Sequence, residues 1–203
     1  MLRLHTSPTT PFGRKVMVLI LETGQQGDIE IAQAGGTPLD SSKMPLAQNP
    51  LGKIPALERG DGPALYDSRV ICRFLDDRAG GRLYPAKPRL WETLTLEATA
   101  DGILEAAILM VYESRLRPEA NRFEGWVEGQ WGKIARSLDA IEARWMGHLN
   151  GPLDMGQIAV GVALAYLDFR HDARGWRNSR PALGAWFDRF RARASMQATE
   201  PQG

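Results

Sequence analysis

The sequence predicts two domains of different class: an α/β domain with a mixed sheet over residues 1–78, and an all-α helical bundle domain over residues 90–203. Three observations carry this. Strand alternation and a hairpin signal are confined to the first eighty residues. A stretch rich in helix and strand breakers follows, Ala79-Gly80-Gly81-Arg82-Leu83-Tyr84-Pro85-Ala86-Lys87-Pro88, and reads as a linker over 79–89. Beyond it only helical periodicity recurs. A chain of 203 residues is long enough for one domain or for two small ones.

Leu2-Arg3-Leu4-His5 alternates as a strand does. Phe12, Val16, Leu19, Ile20 and Thr23 then recur at helical spacing, with Gly24 placed to end the helix. Ile29 and Ile31 flank Glu30 as in a second strand. Ala34 to Gly52 is rich in Gly, Pro, Ser and Asn and reads as irregular, with room for one short helix. Ile54 to Glu58 and Ala64 to Tyr66 enclose Arg59-Gly60-Asp61-Gly62 and predict an antiparallel hairpin. A helix follows, capped by Asp67 or Ser68, with Val70, Ile71, Phe74 and Leu75 on one face. A βαβ unit followed by a hairpin and a helix gives a mixed sheet. After the linker, helical patterns run over 90–116, 119–149, 154–169 and 181–194, as in a bundle, and 199–203 reads as a mobile tail.

The totals exclude more than they identify. With 25 basic and 24 acidic residues the formal charge is +1, which offers no electrostatic reason for a nucleic-acid or anionic-membrane partner. Cys72 is the single cysteine, so no internal disulfide forms, as in a reducing compartment. His5, His148 and His171 lack metal-ligand spacing, and no metal is expected. MLRLHTSP has no apolar signal-peptide core. The longest apolar run, Ile158 to Leu167, is about half the ~20 residues a membrane span requires. A cytoplasmic protein is the expectation.

Three short constellations carry chemistry. The first is Thr9-Thr10-Pro11. Threonine is a good N-cap and proline is favoured at the first helical position, which explains the pair structurally. The functional alternative is that the helix start, with free N–H groups and a partial positive charge, shelters a thiolate to which a threonine hydroxyl donates. The second is Asn49-Pro50-Leu51-Gly52-Lys53-Ile54-Pro55-Ala56-Leu57. Proline is tolerated at a strand's first residue. A cis bond there turns the Ile54 backbone outward to pair with an extended peptide. A trans bond is the ordinary case, since only about 5% of such bonds are cis. The third is Tyr66-Asp67-Ser68-Arg69, where a carboxylate, a hydroxyl and free N–H groups meet at a helix start. That suits the charged end of an amino acid, although either residue alone is explained as a cap.

Thr-Thr-Pro-Phe-Gly-Arg-Lys-Val, Asn-Pro-Leu-Gly-Lys-Ile-Pro-Ala-Leu and Tyr-Asp-Ser-Arg-Val-Ile, in this order and followed by a helical domain, resemble the cytosolic glutathione transferase family over nearly the whole chain. The resemblance implies a thioredoxin-like N-terminal domain, a helical C-terminal domain, glutathione as cosubstrate and a homodimer. It further implies that Ile54 pairs its backbone with the cysteinyl part of glutathione and that Pro55 is cis. Asp67 and Ser68 correspond to the pair that holds the γ-glutamyl end, and Lys53 to a polar residue near the glycyl carboxylate; the alternative for Lys53 is a solvated surface lysine. Thr10 stands where several classes carry a catalytic serine or cysteine, with Thr9 one residue away and Ser7 a weaker candidate. A cysteine is absent there, which departs from the beta, omega and glutaredoxin-like patterns, because disulfide exchange needs a protein thiolate. His5 and Thr6 stand where the alpha, mu and pi classes carry a tyrosine. The likeness is to bacterial Ser/Thr-type enzymes, closer to theta, delta or zeta.

Asp154 and Gln157 have capping-box spacing and correspond to a buried folding motif of the family. Phe12, Met110 and Tyr112 are the candidates for contact with a small hydrophobic electrophile, although Met and aromatic residues at helical spacing, as Met110 and Tyr112 are, usually mean core. Trp126, Trp131, Trp145 and Cys72 read as packing. The expected activity is that of a glutathione transferase with a role in detoxification. The alternatives are a catalytically silent relative that serves as a binding or regulatory module, and a glutathione-dependent isomerase or dehalogenase.

Overall fold

A computed structural model describes residues 1–201 and divides them into two compact units, one of residues 1–85 and 194–201, the other of residues 86–193. The first unit begins with β1 (Leu2–Thr6), α1 (Pro11–Glu22) and β2 (Ile29–Gln33), and continues through β3 (Ala56–Arg59), β4 (Gly62–Leu65) and α2 (Ser68–Arg78). The sheet has the order β2-β1-β3-β4. β1 and β2 are parallel, with Leu2 opposite Ile29 and Thr6 opposite Gln33. β1 and β3 are antiparallel, with Arg3 opposite Glu58 and His5 opposite Ala56. β3 and β4 form the hairpin, Leu57 facing Leu65.

Alternation along β1 buries Leu4 and Thr6 and leaves Arg3 exposed, so one face of the sheet meets the apolar stripes of α1 and α2: Val16, Leu19, Ile20, Ile71 and Leu75 are fully or almost fully buried. The segment 34–52 contains turns and no helix; the short helix expected there is replaced by a bridge between Thr37 and Asp40 and by side-chain-closed turns. Thr37 Oγ1 accepts from the N–H groups of Leu39 and Asp40, the local bonding by which such residues compete with a helix.

The second unit contains α3 (Arg89–Leu116), α4 (Glu124–Arg144), α5 (Met146–Leu149), α6 (Met155–His171) and α7 (Pro181–Phe190). The pattern read as one helix over 119–149 is broken into a single 3-10 turn at Glu119–Asn121, α4 and the short α5. α6 is apolar on every side and is correspondingly central, with Met155 to Leu164 buried throughout. It lies close against α3: a Cβ on Gly156 would come within 2.9 Å of the Leu96 Cβ and 3.1 Å of the Thr93 carbonyl.

Asp154 caps α6, accepting from the Gln157 N–H at 3.1 Å. The Gln157 side chain does not close the box back onto Asp154. Its Nε2 donates instead to the carbonyls of His148, Gly151 and Pro152, holding the turn that enters the helix. Among the described residues, no helix is long and apolar enough to cross a membrane.

The last helix, α8 (Ala194–Ala198), belongs to the first unit, so residues 194–201 do not extend the helical domain expected to run to 203. Arg14 of α1 is the anchor. Its Nη2 donates to the Met196 carbonyl at 2.9 Å and its Nε to Thr199 Oγ1 at 3.3 Å. Thr199 in turn donates to the Ser195 carbonyl at 2.9 Å, so the expected mobile tail is tied down at its start; Gln202 and Gly203 lie outside the described residues.

Candidate functional site

Strand register gathers the three constellations at one end of the sheet. β1 ends at Thr6 and leads through a turn, closed by the Thr10 N–H on the Ser7 carbonyl at 3.3 Å, into α1. Because His5 faces Ala56, the residues just before β3, Ile54 and Pro55, lie beside the same end of β1. Leu65 faces Leu57, so the chain leaving β4 through Tyr66 and Asp67 into α2 returns to that end as well. Thr9–Thr10, Ile54–Pro55 and Asp67–Ser68 thus converge.

Thr10 is the N-cap of α1 by backbone only; its side chain makes no capping bond, and Pro11 follows at the first helical position. The cause is steric. Gly13 lies so close that a Cβ there would be 2.6 Å from Thr10 Cγ2 and 1.9 Å from Thr6 Oγ1. The Thr10 methyl therefore covers Gly13, and the hydroxyl is not held by the helix. Thr9 is half-buried in the turn and Ser7 half-buried before it. Thr6 Oγ1 is buried without a hydrogen-bond partner among the described residues. The N–H groups of Phe12 and Gly13 receive no side-chain cap and carry the partial positive charge of the helix start. Phe12 is half-buried.

The Ile54–Pro55 and Tyr66–Asp67 bonds are both cis. Ile54 is half-buried, and among the described residues its N–H and C=O bond to no other group of the chain, which leaves both free for an extended backbone. Pro55 is buried, immediately ahead of β3, and Lys53 is exposed. Asn49, quoted in the motif but given no role from sequence, organises this approach. It is 2% exposed. Its Nδ2 donates to the Lys53 carbonyl at 2.8 Å and its Oδ1 accepts from the Leu51 N–H at 3.0 Å. Gly52, at φ +61, completes the turn in the left-handed region. An Asn followed by Pro before a strand is a turn signal that points to such a residue.

Asp67 caps α2, accepting from the Arg69 N–H at 3.0 Å and pairing with Arg69 Nη2 at 3.3 Å. Here the capping reading holds, and the carboxylate remains more than half exposed. Ser68 is 2% exposed at the first helical position. Opposite Arg3, Glu58 is hydrogen-bonded to His5, and that bond is the main reason its carboxyl pKa is lowered.

Met110 and Tyr112 lie on α3 in the helical unit. Met110 is buried, and Tyr112 is half-buried, its phenol pKa raised by desolvation. Cys72 is fully buried. Among the described residues there is no group of three His, Cys, Asp or Glu side chains placed to hold a metal ion.

The chain matches the family model of the glutathione S-transferase N-terminal domain over residues 9–78 and that of the C-terminal domain over residues 124–189. It belongs to the glutathione transferase family. Among this transferase family member's relatives is an uncharacterised protein of Escherichia coli K12, the GST-like YibF, 33% identical over 98% of both chains. Glutathione S-transferase 3 of Zea mays is 29% identical over 98% of this chain and 92% of the relative. A family member from Pseudomonas fluorescens Pf-5, solved with bound glutathione, superposes with a TM-score of 0.96 at 42% identity over all of both chains. The same relative was also solved with S-(propanoic acid)-glutathione, at a TM-score of 0.92. The two-domain fold, thioredoxin-like followed by helical, is that of the family.

Proposed function

We propose that this transferase family member binds glutathione, stabilises its thiolate and directs it at an electrophilic carbon. The observation that carries the reading is the convergence at one end of the sheet of a threonine hydroxyl not used by its helix, an unpaired backbone N–H and C=O at Ile54, and the Asp67–Ser68 helix start. The glutathione held by the Pseudomonas fluorescens relative supports it, and S-(propanoic acid)-glutathione is an S-alkylated glutathione, the class of product such an attack yields.

In this reading the cysteinyl backbone of glutathione pairs with Ile54. Asp67 faces the γ-glutamyl ammonium, Ser68 its carboxylate, and Lys53 the glycyl carboxylate. The thiol proton passes to solvent. The thiolate, held at the start of α1, accepts from Thr10, with Thr9 as the alternative donor. A hydrogen bond to the charged form lowers the thiol pKa, each unit corresponding to about 1.36 kcal/mol. In the attack the C–S bond forms while the leaving group departs with its bonding pair. The protein contributes orientation and thiolate stabilisation, since the nucleophile belongs to the cosubstrate. Tyr112 is assigned to the electrophile side. The homodimer is part of the proposal and is checked by light scattering.

Calorimetric titration with glutathione and thiolate absorbance at varied pH test the reading. Wild type is expected to bind glutathione and to lower its thiol pKa, and Thr10→Ala to raise that pKa again. An unchanged pKa in Thr10→Ala with a raised one in Thr9→Ala reassigns the donor. Binding without any turnover leaves the chain a binding module, and absence of binding overturns the proposal.

A further inference from the structure

The end of the chain returns to the helix whose start is assigned to the thiolate. α8 (Ala194–Ala198) has five residues, whereas an isolated helix shorter than ~12–15 residues is marginal in water. Its order comes from docking on α1, and the docking has two ends. At one, the Ser195 hydroxyl donates to the carboxylate of Glu22, the last residue of α1. At the other, Arg14, in the first turn of α1, donates from Nη2 to the Met196 carbonyl at 2.9 Å and from Nε to Thr199 Oγ1 at 3.3 Å. The two segments run in opposite directions, and residues 195–199 reach from Glu22 back to Arg14.

The contacts are shielded from water, since Arg14, Ser195 and Met196 are all buried. The Met196 carbonyl is among the last four of α8, which have no partner within the helix, so the guanidinium caps α8 while it tethers it. Thr199 donates to the Ser195 carbonyl at 2.9 Å and closes the segment on itself.

Arg14 is also bonded to the proposed site. Its backbone N–H donates to the Thr10 carbonyl at 2.9 Å, the hydrogen bond that opens α1. Its neighbour Gly13 is the residue pressed against Thr6 Oγ1 and the Thr10 methyl. The first turn of α1 is thus held from two sides, by β1 through Gly13 and by residues 195–199 through Arg14.

We propose that residues 195–199 are a strap that positions the thiolate site, with Arg14 as the positioning residue that passes its hold to Thr10. The inference rests on the reading that the glutathione thiolate lies at the start of α1. Hydrogen bonds weaken steeply off their preferred geometry, and small displacements of a reacting pair carry large rate costs. Loosening the strap therefore reduces thiolate stabilisation, and it leaves in place the grip on the tripeptide assigned to Ile54, Asp67 and Ser68.

The test is the double variant Ser195→Ala/Thr199→Val in the full chain. It removes both side-chain ends of the strap, keeps the charge of Arg14 and alters no residue assigned to the site. Thiolate absorbance against pH is expected to show the thiol pKa of bound glutathione raised by about half a unit or more, a roughly threefold shift of the thiol equilibrium. The Kd of S-methylglutathione, which has no thiol to ionise, should change by less than about twofold. Arg14→Lys keeps the charge but loses the fork and should raise the thiol pKa likewise, whereas Thr199→Ser keeps the hydroxyl and should retain the wild-type value. An unchanged pKa in the double variant, with or without a lower urea midpoint, makes the segment a structural clasp and overturns the proposal. So does a Kd for S-methylglutathione weakened as much as the thiolate. Should the double variant not fold, Thr199→Val alone is judged by the same criteria. If wild type fails to bind glutathione or to lower its thiol pKa, the transferase reading fails by itself. Amide hydrogen exchange at Arg14, whose N–H is bonded to Thr10, then decides the strap: exchange accelerated about threefold or more in the variant supports it, and an unchanged rate rejects it.

Discussion

Asp154→Ala removes an acceptor that four groups share. Its carboxylate is 2% exposed. Oδ1 accepts from the Gln157 N–H at 3.1 Å, and Oδ2 lies 2.9 Å from Thr93 Oγ1, 2.7 Å from His148 Nε2 and 3.4 Å from Arg89 Nη2. Loss of the cap costs about 1 kcal/mol. His148, its side chain 8% exposed, is left with a nearly buried unpaired donor, about 1–2 kcal/mol. Thr93 is fully buried but has the Arg89 carbonyl 3.2 Å away as a second acceptor, which holds its share under about 1 kcal/mol. Arg89 is about a third exposed and already bonded to the Pro152 carbonyl, so it contributes little. The sum is about 2–4 kcal/mol. Urea unfolding followed by tryptophan fluorescence measures it in the right place, because Trp91, Trp126, Trp131, Trp145, Trp176 and Trp186 all fall within residues 86–193. At an m-value of about 2 kcal/mol/M the midpoint falls by about 1–2 M. A fall under about 0.3 M would refute the assignment of these bonds as a stabilising cluster. Asp154→Asn keeps an acceptor for the Gln157 N–H and should lose less. Equal losses in the two variants would assign the effect to the charge facing Arg89 and His148 instead of the cap.

Gly13→Ala is expected to be destabilising by about 1–3 kcal/mol despite the better helix former, since the new Cβ meets Thr6 Oγ1 at 1.9 Å and Thr10 Cγ2 at 2.6 Å. Gly102→Ala in α3, where nothing lies within 4 Å, should stabilise by about 0.5–1 kcal/mol; equal effects at the two sites contradict the close approach. Thr10→Ala should lower kcat/KM for conjugation about ten- to a hundredfold, the range of a hydrogen bond to a charged partner, and a change under twofold in steady-state assays excludes that hydroxyl. His171 is half-buried, and desolvation lowers its pKa below the unfolded value. The unfolded chain therefore binds a proton that the folded one refuses, so stability declines as pH falls below about 6.5, by up to about 1.36 kcal/mol per pH unit, until the folded-state pKa is passed. His171→Gln should flatten that part of the profile, and a wild-type-minus-variant difference constant between pH 7 and 5 rejects the assignment.

The elements were legible where one local signal sufficed. Alternation in Leu2–His5, helical spacing from Phe12 and the Gly-Asp-Gly turn each identify their element, and β1, α1, β3 and β4 form within a residue or two of those signals. Register was not legible. That His5 faces Ala56, and so brings Ile54–Pro55 beside the start of α1, is decided by strand pairing across fifty residues, which no local pattern encodes. Arg14 illustrates the same limit: by spacing it is a surface charge on an amphipathic helix, yet it is 8% exposed and bonded to the Met196 carbonyl.

The two threonine- and aspartate-led helix starts sharpen the point, because by residue type Thr10 and Asp67 are equally good caps. Asp67 uses its side chain on the Arg69 N–H, whereas Thr10 leaves its side chain off the helix. What separates them is the residue one turn inward. Gly13 lets β1 and the Thr10 methyl approach until no Cβ fits, and that contact orients the side chain before any ligand arrives. A hydroxyl directed away from its own helix by packing is available to a thiolate without first breaking a capping bond worth about 1 kcal/mol. The chemistry assigned to Thr10 thus depends on a glycine that touches no substrate.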